Sequence, residues 1–332
     1  MKKRQMNKKF IQKLDVEVIS PMFSCGNKGE KNKRIPEIRT SEVKGLMRYI
    51  YRVANIEKEY IKLLEKEGEI FGKSEERASP IRIQISGNIG QLKEDYLRYY
   101  YEGTENKSIP IGTKLTITIR CFQKNTTYTL ENFRDMLELS LLLGGIGRRA
   151  RRGRGCMATQ FARSKNIEEL KEWIANKLNF INMHEEKDIT ADEKFRYNLQ
   201  GNVIYGPECF QEQSYLRPVI EKIVFGKKLN IQYMSIKKEK LIERFLRAVD
   251  DASHNIKKDN DKIIFATGHI SRKNGARHNF SSSVIVTLVE AKDGIYPVFV
   301  FLKAIYGGEE IENYKDEQYE FVNLINRRSE VR

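Results

Sequence analysis

Cysteine and histidine are scarce in this chain, and their spacing rules out several kinds of chemistry. The four cysteines (Cys25, Cys121, Cys156, Cys209) are scattered and form no C-x-x-C pair. That argues against a zinc site and against a disulfide framework, leaving reduced thiols in a core. The four histidines (His184, His254, His269, His278) include no i, i+4 pair, so a histidine-based metal centre is not expected. No segment approaches the roughly 18 apolar residues of a membrane span. The basic start (Lys2, Lys3, Arg4, Lys8, Lys9, Lys13) has no apolar stretch of signal-peptide length behind it. A soluble, cytoplasmic protein is the expectation, with no membrane partner. Neither G-x-x-x-x-G-K-[ST] nor G-x-S-x-G occurs, so neither a P-loop nucleotide site nor a serine nucleophile elbow is supported. No cofactor, metal or small-molecule substrate is expected.

What the chain has is positive charge. Its 332 residues carry 60 Lys+Arg against 45 Asp+Glu, a net +15, a footprint that suits nucleic acid. The densest part is Gly144-Gly145-Ile146-Gly147-Arg148-Arg149-Ala150-Arg151-Arg152-Gly153-Arg154-Gly155, with five arginines between 148 and 154. Such a cluster repels itself and is expected where a polyanion neutralises it. Gly145 and Gly147 would let backbone N–H groups approach phosphates, while Arg148, Arg149, Arg151, Arg152 and Arg154 offer bidentate guanidinium forks. The bland alternative is a solvated basic loop. A dinucleotide fingerprint, G-x-G-x-x-A, falls inside this stretch, but it follows a helix and leads into Arg/Gly rather than an amphipathic helix; it is rejected.

The first strand is expected over Phe10–Ser20. A helix capped by Thr40 or Ser41 runs to Asn55, with Val43, Leu46, Met47, Ile50, Val53 and Ala54 on one stripe. Lys44, Arg48 and Arg52 form a basic line beside that stripe, and Tyr49 and Tyr51 could stack on bases or pack at the core boundary. A second helix, Ile56–Glu67, extends the first. Alternating strands follow at 81–85 and 115–121, then a helix Thr129–Leu143 stopped by Gly144-Gly145, then a strand 156–162. This order is that of a ferredoxin-like βαββαβ unit. A linking helix 166–181 and an acidic stretch 185–193 mark a boundary. The second half repeats the theme: strand 196–204, an irregular stretch, the segment Val219–Met234, helix 237–252, and strands 262–268, 283–290 and 296–302. Between the first two of these last strands lies another basic loop carrying Arg272, Lys273, Arg277 and His278. The fold class is therefore α+β, two tandem ferredoxin-like (RRM-like) domains. Residues 1–165 form the first, 166–194 the link, and 195–332 the second, more divergent one.

Four segments in order resemble one family. Pro36 to Arg48, which includes Glu37, Arg39, Ser41, Lys44 and Gly45, is similar to the "ELRxxSxKGxxR" segment of the RAMP-superfamily CRISPR proteins. Glu69-Ile70-Phe71-Gly72 looks like their "E-x-x-FG" segment, and the arginine loop like their "GGlGxRxRRGxG" signature. Arg277-His278-Asn279-Phe280-Ser281-Ser282 is similar to an "RxxSP" segment found in one subunit type of the type III-B Cmr complex. The chain departs from the pattern at Tyr49-Ile50-Tyr51, where a tryptophan is usual, at Arg154, where the family has an aromatic, and at Ser283, near an expected proline. The resemblance implies a non-enzymatic RNA-binding subunit of an RNA-guided antiviral ribonucleoprotein. It would hold the 3′ part of the crRNA, contact the 5′ part of the target RNA, and sit beside other RAMP subunits.

An endoribonuclease is the alternative. His278 is its best acid/base candidate; Glu37, beside Pro36, fits a capping or salt-bridged carboxylate better than a base. The loop after the first strand holds Glu30 and Glu37 but neither Asp nor His. A scaffold whose basic loops dock acidic partners is the second alternative.

Overall fold

The computed structural model describes residues 10–28, 34–96, 105–122, 128–182, 193–212, 215–229, 237–258, 265–273, 276–306, 309–311 and 313–330. The first half contains β1 (Ile11–Val18), α1 (Thr40–Ala54), α2 (Tyr60–Phe71), β2 (Ile81–Ser86), β3 (Lys114–Cys121), α3 (Leu130–Leu143) and β4 (Met157–Thr159). These four strands form one antiparallel sheet in the order β2-β3-β1-β4, and two further pairs of short strands, Cys25–Lys28 with Arg34–Pro36 and Lys93–Tyr96 with Glu105–Ser108, stand apart from it. Leu14, Val16 and Val18 alternate inward along β1 while Lys13 and Asp15 stay exposed, the period-two pattern of a sheet with one buried face.

Two boundaries differ from expectation. α1 is capped by Arg39, without a side-chain bond, rather than by Thr40 or Ser41. α2 is a separate helix, not a continuation of α1. The break comes from distant side chains that take the carbonyls at the end of α1. Arg217 donates to the carbonyls of Asn55 (2.6 Å) and Glu57 (2.7 Å), Tyr197 to Ala54 (2.9 Å) and Tyr215 to Ile56 (2.7 Å). Helix ends leave carbonyls needing partners, and here the second half supplies them.

After the short helix Gln160–Ser164 comes α4 (Ile167–Asn182). The acidic boundary lies outside the described residues from 183 to 192. The second half then holds β5 (Asn198–Gln200), β6 (Val203–Tyr205), β7 (Ile220–Phe225), α5 (Lys238–Lys258), β8 (His269–Lys273), β9 (Ala276–Phe280), β10 (Val284–Ala291), β11 (Gly294–Leu302) and α6 (Tyr314–Glu330). Its main sheet is antiparallel in the order β10-β11-β7-β6-β5. The expected strand 196–204 is a short hairpin, β5–β6. The described part of 262–268 is a turn, and β7 occupies the start of the segment 219–234, which the sequence sets apart from the irregular stretch.

The layers run sheet, helices, sheet, helices. Along β11, Val298, Val300 and Leu302 join the core cluster that holds Met47, Leu142 and Ile174, whereas Phe299 and Phe301 join Phe245 and Phe321. A strand buried on both faces reads as a continuous apolar run, as 295–302 does. The largest apolar cluster thus draws on both halves of the chain.

Candidate nucleic-acid interface

The arginine loop leaves α3, whose start is fixed by a capping box between Thr129 and Asn132. Ile146, 2% exposed, anchors the loop in the core, and its N–H meets the Gly155 carbonyl at 3.0 Å. Arg148 N–H donates to the Phe23 carbonyl (3.0 Å), and Gly155 N–H to the Pro21 carbonyl (3.0 Å). On the far side the loop joins edge strand β10: Gly153 N–H meets the Val286 carbonyl at 2.8 Å, and Val286 N–H the Arg151 carbonyl at 3.1 Å. Gly147 has φ +92, and a Cβ there would stand 2.9 Å from the Phe23 carbonyl; at Gly145 it would stand 2.4 Å from the Arg154 carbonyl oxygen. These two glycines serve close backbone packing, and the N–H groups of residues 146, 148, 153 and 155 are bonded within the fold. Those four N–H groups are therefore taken up by the fold, whereas the expected phosphate contacts are at Gly145 and Gly147.

The five arginines divide. Arg148 is exposed. Arg151 is half-buried, donating to the Ser282 carbonyl at 2.7 Å with its guanidinium 4.7 Å from the centre of the Tyr49 ring. Arg149 and Arg154 close on opposite oxygens of Asp250, in α5, at 2.7 and 2.6 Å. Arg154 is 0% exposed. Arg152 is buried, donates to Ser282 Oγ at 2.9 Å and lies 4.9 Å over the Phe321 ring. Burial, with Arg149 close by, pulls its pKa down to about 9. Arg152 and Arg154 are therefore withdrawn from any surface, contrary to the expectation that all five face a polyanion. The neutralising charge comes partly from within, from Asp250.

α1 carries the other basic residues. Lys44 Nζ reaches Ser79 Oγ at 2.5 Å; burial, and then the neighbouring Arg48, lower its pKa. Arg48 binds Glu67 Oε1 at 3.0 Å and donates to the carbonyls of Phe71 (3.2 Å) and Gly72. Arg52 Nε is 3.4 Å from the other Glu67 oxygen. Arg39 pairs with Glu42 in the open. Tyr51 is buried edge-on against Phe71, so it packs in the core; Tyr49 is half-buried under Arg151. Ser41 and Gly45 are exposed, with open space beyond Gly45. The exposed ridge of α1 is thus flanked by Lys44 and Arg48 on one side. On the other stand Tyr49, Arg151 and Arg148, whose backbone N–H is bonded to the Phe23 carbonyl. Residues far apart in sequence share one basic surface, on which Lys44, Arg48, Arg52 and Arg151 each have a partner among the described residues.

The second basic segment is the hairpin β8–β9, which brings Arg272 opposite Arg277 and Ser271 opposite His278, with Lys273 opposite Ala276. The side chains of Arg272, Lys273, Arg277 and His278 lie outside the described residues. Glu37, the other candidate base, is exposed, and its N–H meets the Ser24 carbonyl at 3.0 Å. Among the described residues no group of three His, Cys, Asp or Glu could hold a metal ion, and no helix is long and apolar enough to cross a membrane.

Asp250, Glu67 and Ser282 were not singled out in the sequence. A signal existed for the acids. Asp250 falls at i+8 from Ile242 and i+4 from Leu246, and Glu67 at i+4 from Leu63, each on a helix's buried stripe, where an acid calls for a partner. Ser282, at the end of the fourth family-like segment, meets Arg151 and Arg152 of the third.

Residues 15–158 match the family model of the RAMP superfamily. No curated protein matches the sequence. Among solved structures, Cmr1 from Pyrococcus furiosus in its apo form is similar over 95% of this chain and 96% of its own, at 15% identity and TM-score 0.56. A chain of the type III-B Cmr-beta assembly, in a cryo-EM structure bound to cognate target RNA and AMPPnP in the presence of ssDNA, is similar over 97% and 100%. There the identity is 14% and the TM-score 0.57. The fold is therefore shared over nearly the whole length.

Proposed function

From the RAMP-superfamily match across residues 15–158, we propose that the chain is an RNA-binding structural subunit of a type III-B CRISPR effector complex. It holds the 3′ part of the crRNA, contacts the 5′ part of the target RNA, and docks against other RAMP subunits. Each half is ferredoxin-like. The strand order β2-β3-β1-β4 supports this for the first, and β10-β11-β7, with β6 in the fourth place, supports it for the second. The observation that carries the RNA reading is the meeting of the arginine loop with α1, where Arg151 lies over Tyr49 and Arg148 stands exposed beside the chain that leads into the helix. A cluster of cations around one half-buried ring suits a phosphate backbone. The net charge of +15 supplies the long-range attraction.

The subunit does not cut RNA in this reading. The test uses fluorescent single-stranded RNA and the purified chain. Binding is expected to weaken steeply with salt, by nearly one unit of slope for each phosphate neutralised. Arg148→Ala or Lys44→Ala weakens it roughly threefold to tenfold, evenly across sequences, with the fold intact. Flat salt dependence overturns the reading. RNA cleavage that disappears in His278→Ala would replace it with the nuclease.

A further inference from the structure

The second half carries a groove of about 680 Å³ between the start of α5, the end of α6 and the turn that follows β7. Its floor is aliphatic, with Val224, Leu229 and Leu241 half-exposed, and its rim holds Lys227, Lys228 and Arg244. No acid lines it among the described residues. The rim is built in advance. Gly226 N–H meets the Pro297 carbonyl at 2.8 Å and Leu229 N–H the Ile295 carbonyl at 2.8 Å, so the two lysines sit on a turn pinned to β11 at both ends. A site already shaped avoids part of the ordering cost of binding.

Two features select the occupant. The rings of the groove, Phe225, Phe245 and Phe299, are at most 3% exposed. They lie beneath the floor with no face free for a nucleobase, and sequence-tolerant nucleic-acid grooves need such a face. Three cations around half-exposed aliphatic side chains instead complement a chain that alternates acid with apolar bulk. We propose that this groove docks an acidic segment of a partner protein, one or two large apolar side chains on the floor and their Asp or Glu neighbours on the rim. The proposal is independent of the RNA groove.

The test places the photo-crosslinker p-benzoylphenylalanine at Leu241, or at Ser329 on the opposite wall if that variant does not fold. The full chain is purified natively with what stays bound and irradiated, and the adducts are sequenced by mass spectrometry. The expected result is one main protein adduct whose crosslinked peptide carries Asp or Glu beside apolar residues. Its yield drops about threefold to tenfold in Lys228→Glu/Arg244→Glu, as for lost rim charges, and is unchanged in Arg148→Ala. An adduct to RNA, an adduct to a peptide without acids, no adduct from a folded chain, or a yield indifferent to the charge reversal would each overturn the proposal. Loss of RNA binding in Arg148→Ala with the adduct intact would separate the two sites.

Discussion

Arg148 and Arg154 belong to one loop and one run of charge, yet they live in opposite surroundings. Arg148 faces solvent, and its backbone N–H is bonded to the Phe23 carbonyl. Arg154 is sealed from water and grips Asp250 with two nitrogens, at 2.6 and 3.2 Å. The difference teaches that density of charge in a sequence does not by itself mark a binding surface. A buried guanidinium is tolerated where a carboxylate and carbonyls replace its hydration, and this loop finds them in the second half of the chain. Its C-terminal end works as a clamp between halves, while its N-terminal end remains available to a ligand.

Breaking the clamp is expected to have the largest effect. Arg154→Ala leaves Asp250 buried with fewer counter-charges, and Asp250→Ala leaves two guanidiniums without their carboxylate; either should cost about 3–5 kcal/mol in denaturant unfolding. A loss below about 1 kcal/mol would show the pair to be incidental.

Glu138 in α3 sharpens the comparison from the acid side. It is 2% exposed and has no ion pair among the described residues, and burial pushes its pKa up to about 7 from an ordinary 4.5, against an opposing hydrogen bond from Thr159. The unfolded chain releases this proton near 4.5 and the folded chain near 7, so between those values the native state binds more protons. Its contribution to stability is therefore full at low pH and declines as pH rises through that window, by on the order of 3 kcal/mol. Glu138→Gln should flatten this slope and raise stability at pH 8 relative to the parent, read as unfolding midpoints across pH. An unchanged slope would remove Glu138 from the account.

At the small end, Arg148→Ala should shift stability by no more than about 0.5 kcal/mol, as at other exposed sites, while still weakening RNA binding. A large stability loss there would erase the distinction between the two ends of the loop.

Much of the first half was legible in the sequence. Alternation in 81–85 and 115–121 and the stripe of α1 depend on local period, which folding preserves. What escaped depends on distance. Arg154 and Asp250 are 96 residues apart, and no local pattern announces that they meet. α6, Tyr314–Glu330, lies beyond the last element read from the sequence, and its buried Phe321 and Ile325 meet partners on α5 and the second sheet that no local pattern names. The site was half legible: α1 and the loop do lie together, but which arginines stay at the surface was decided by an acid in another element.

The grip on the end of α1 also sets an order of events during synthesis. Tyr197, Tyr215 and Arg217, which hold the carbonyls of residues 52 to 57, leave the ribosome long after α1 does. A nascent chain ending near residue 165 would have its first sheet but an open helix end and a bare apolar helix layer, since β11 has yet to arrive to cover it. Such an intermediate exposes apolar surface of the kind that draws chaperones and proteases, and the end of α1 closes only after residues 197 to 217 have been made.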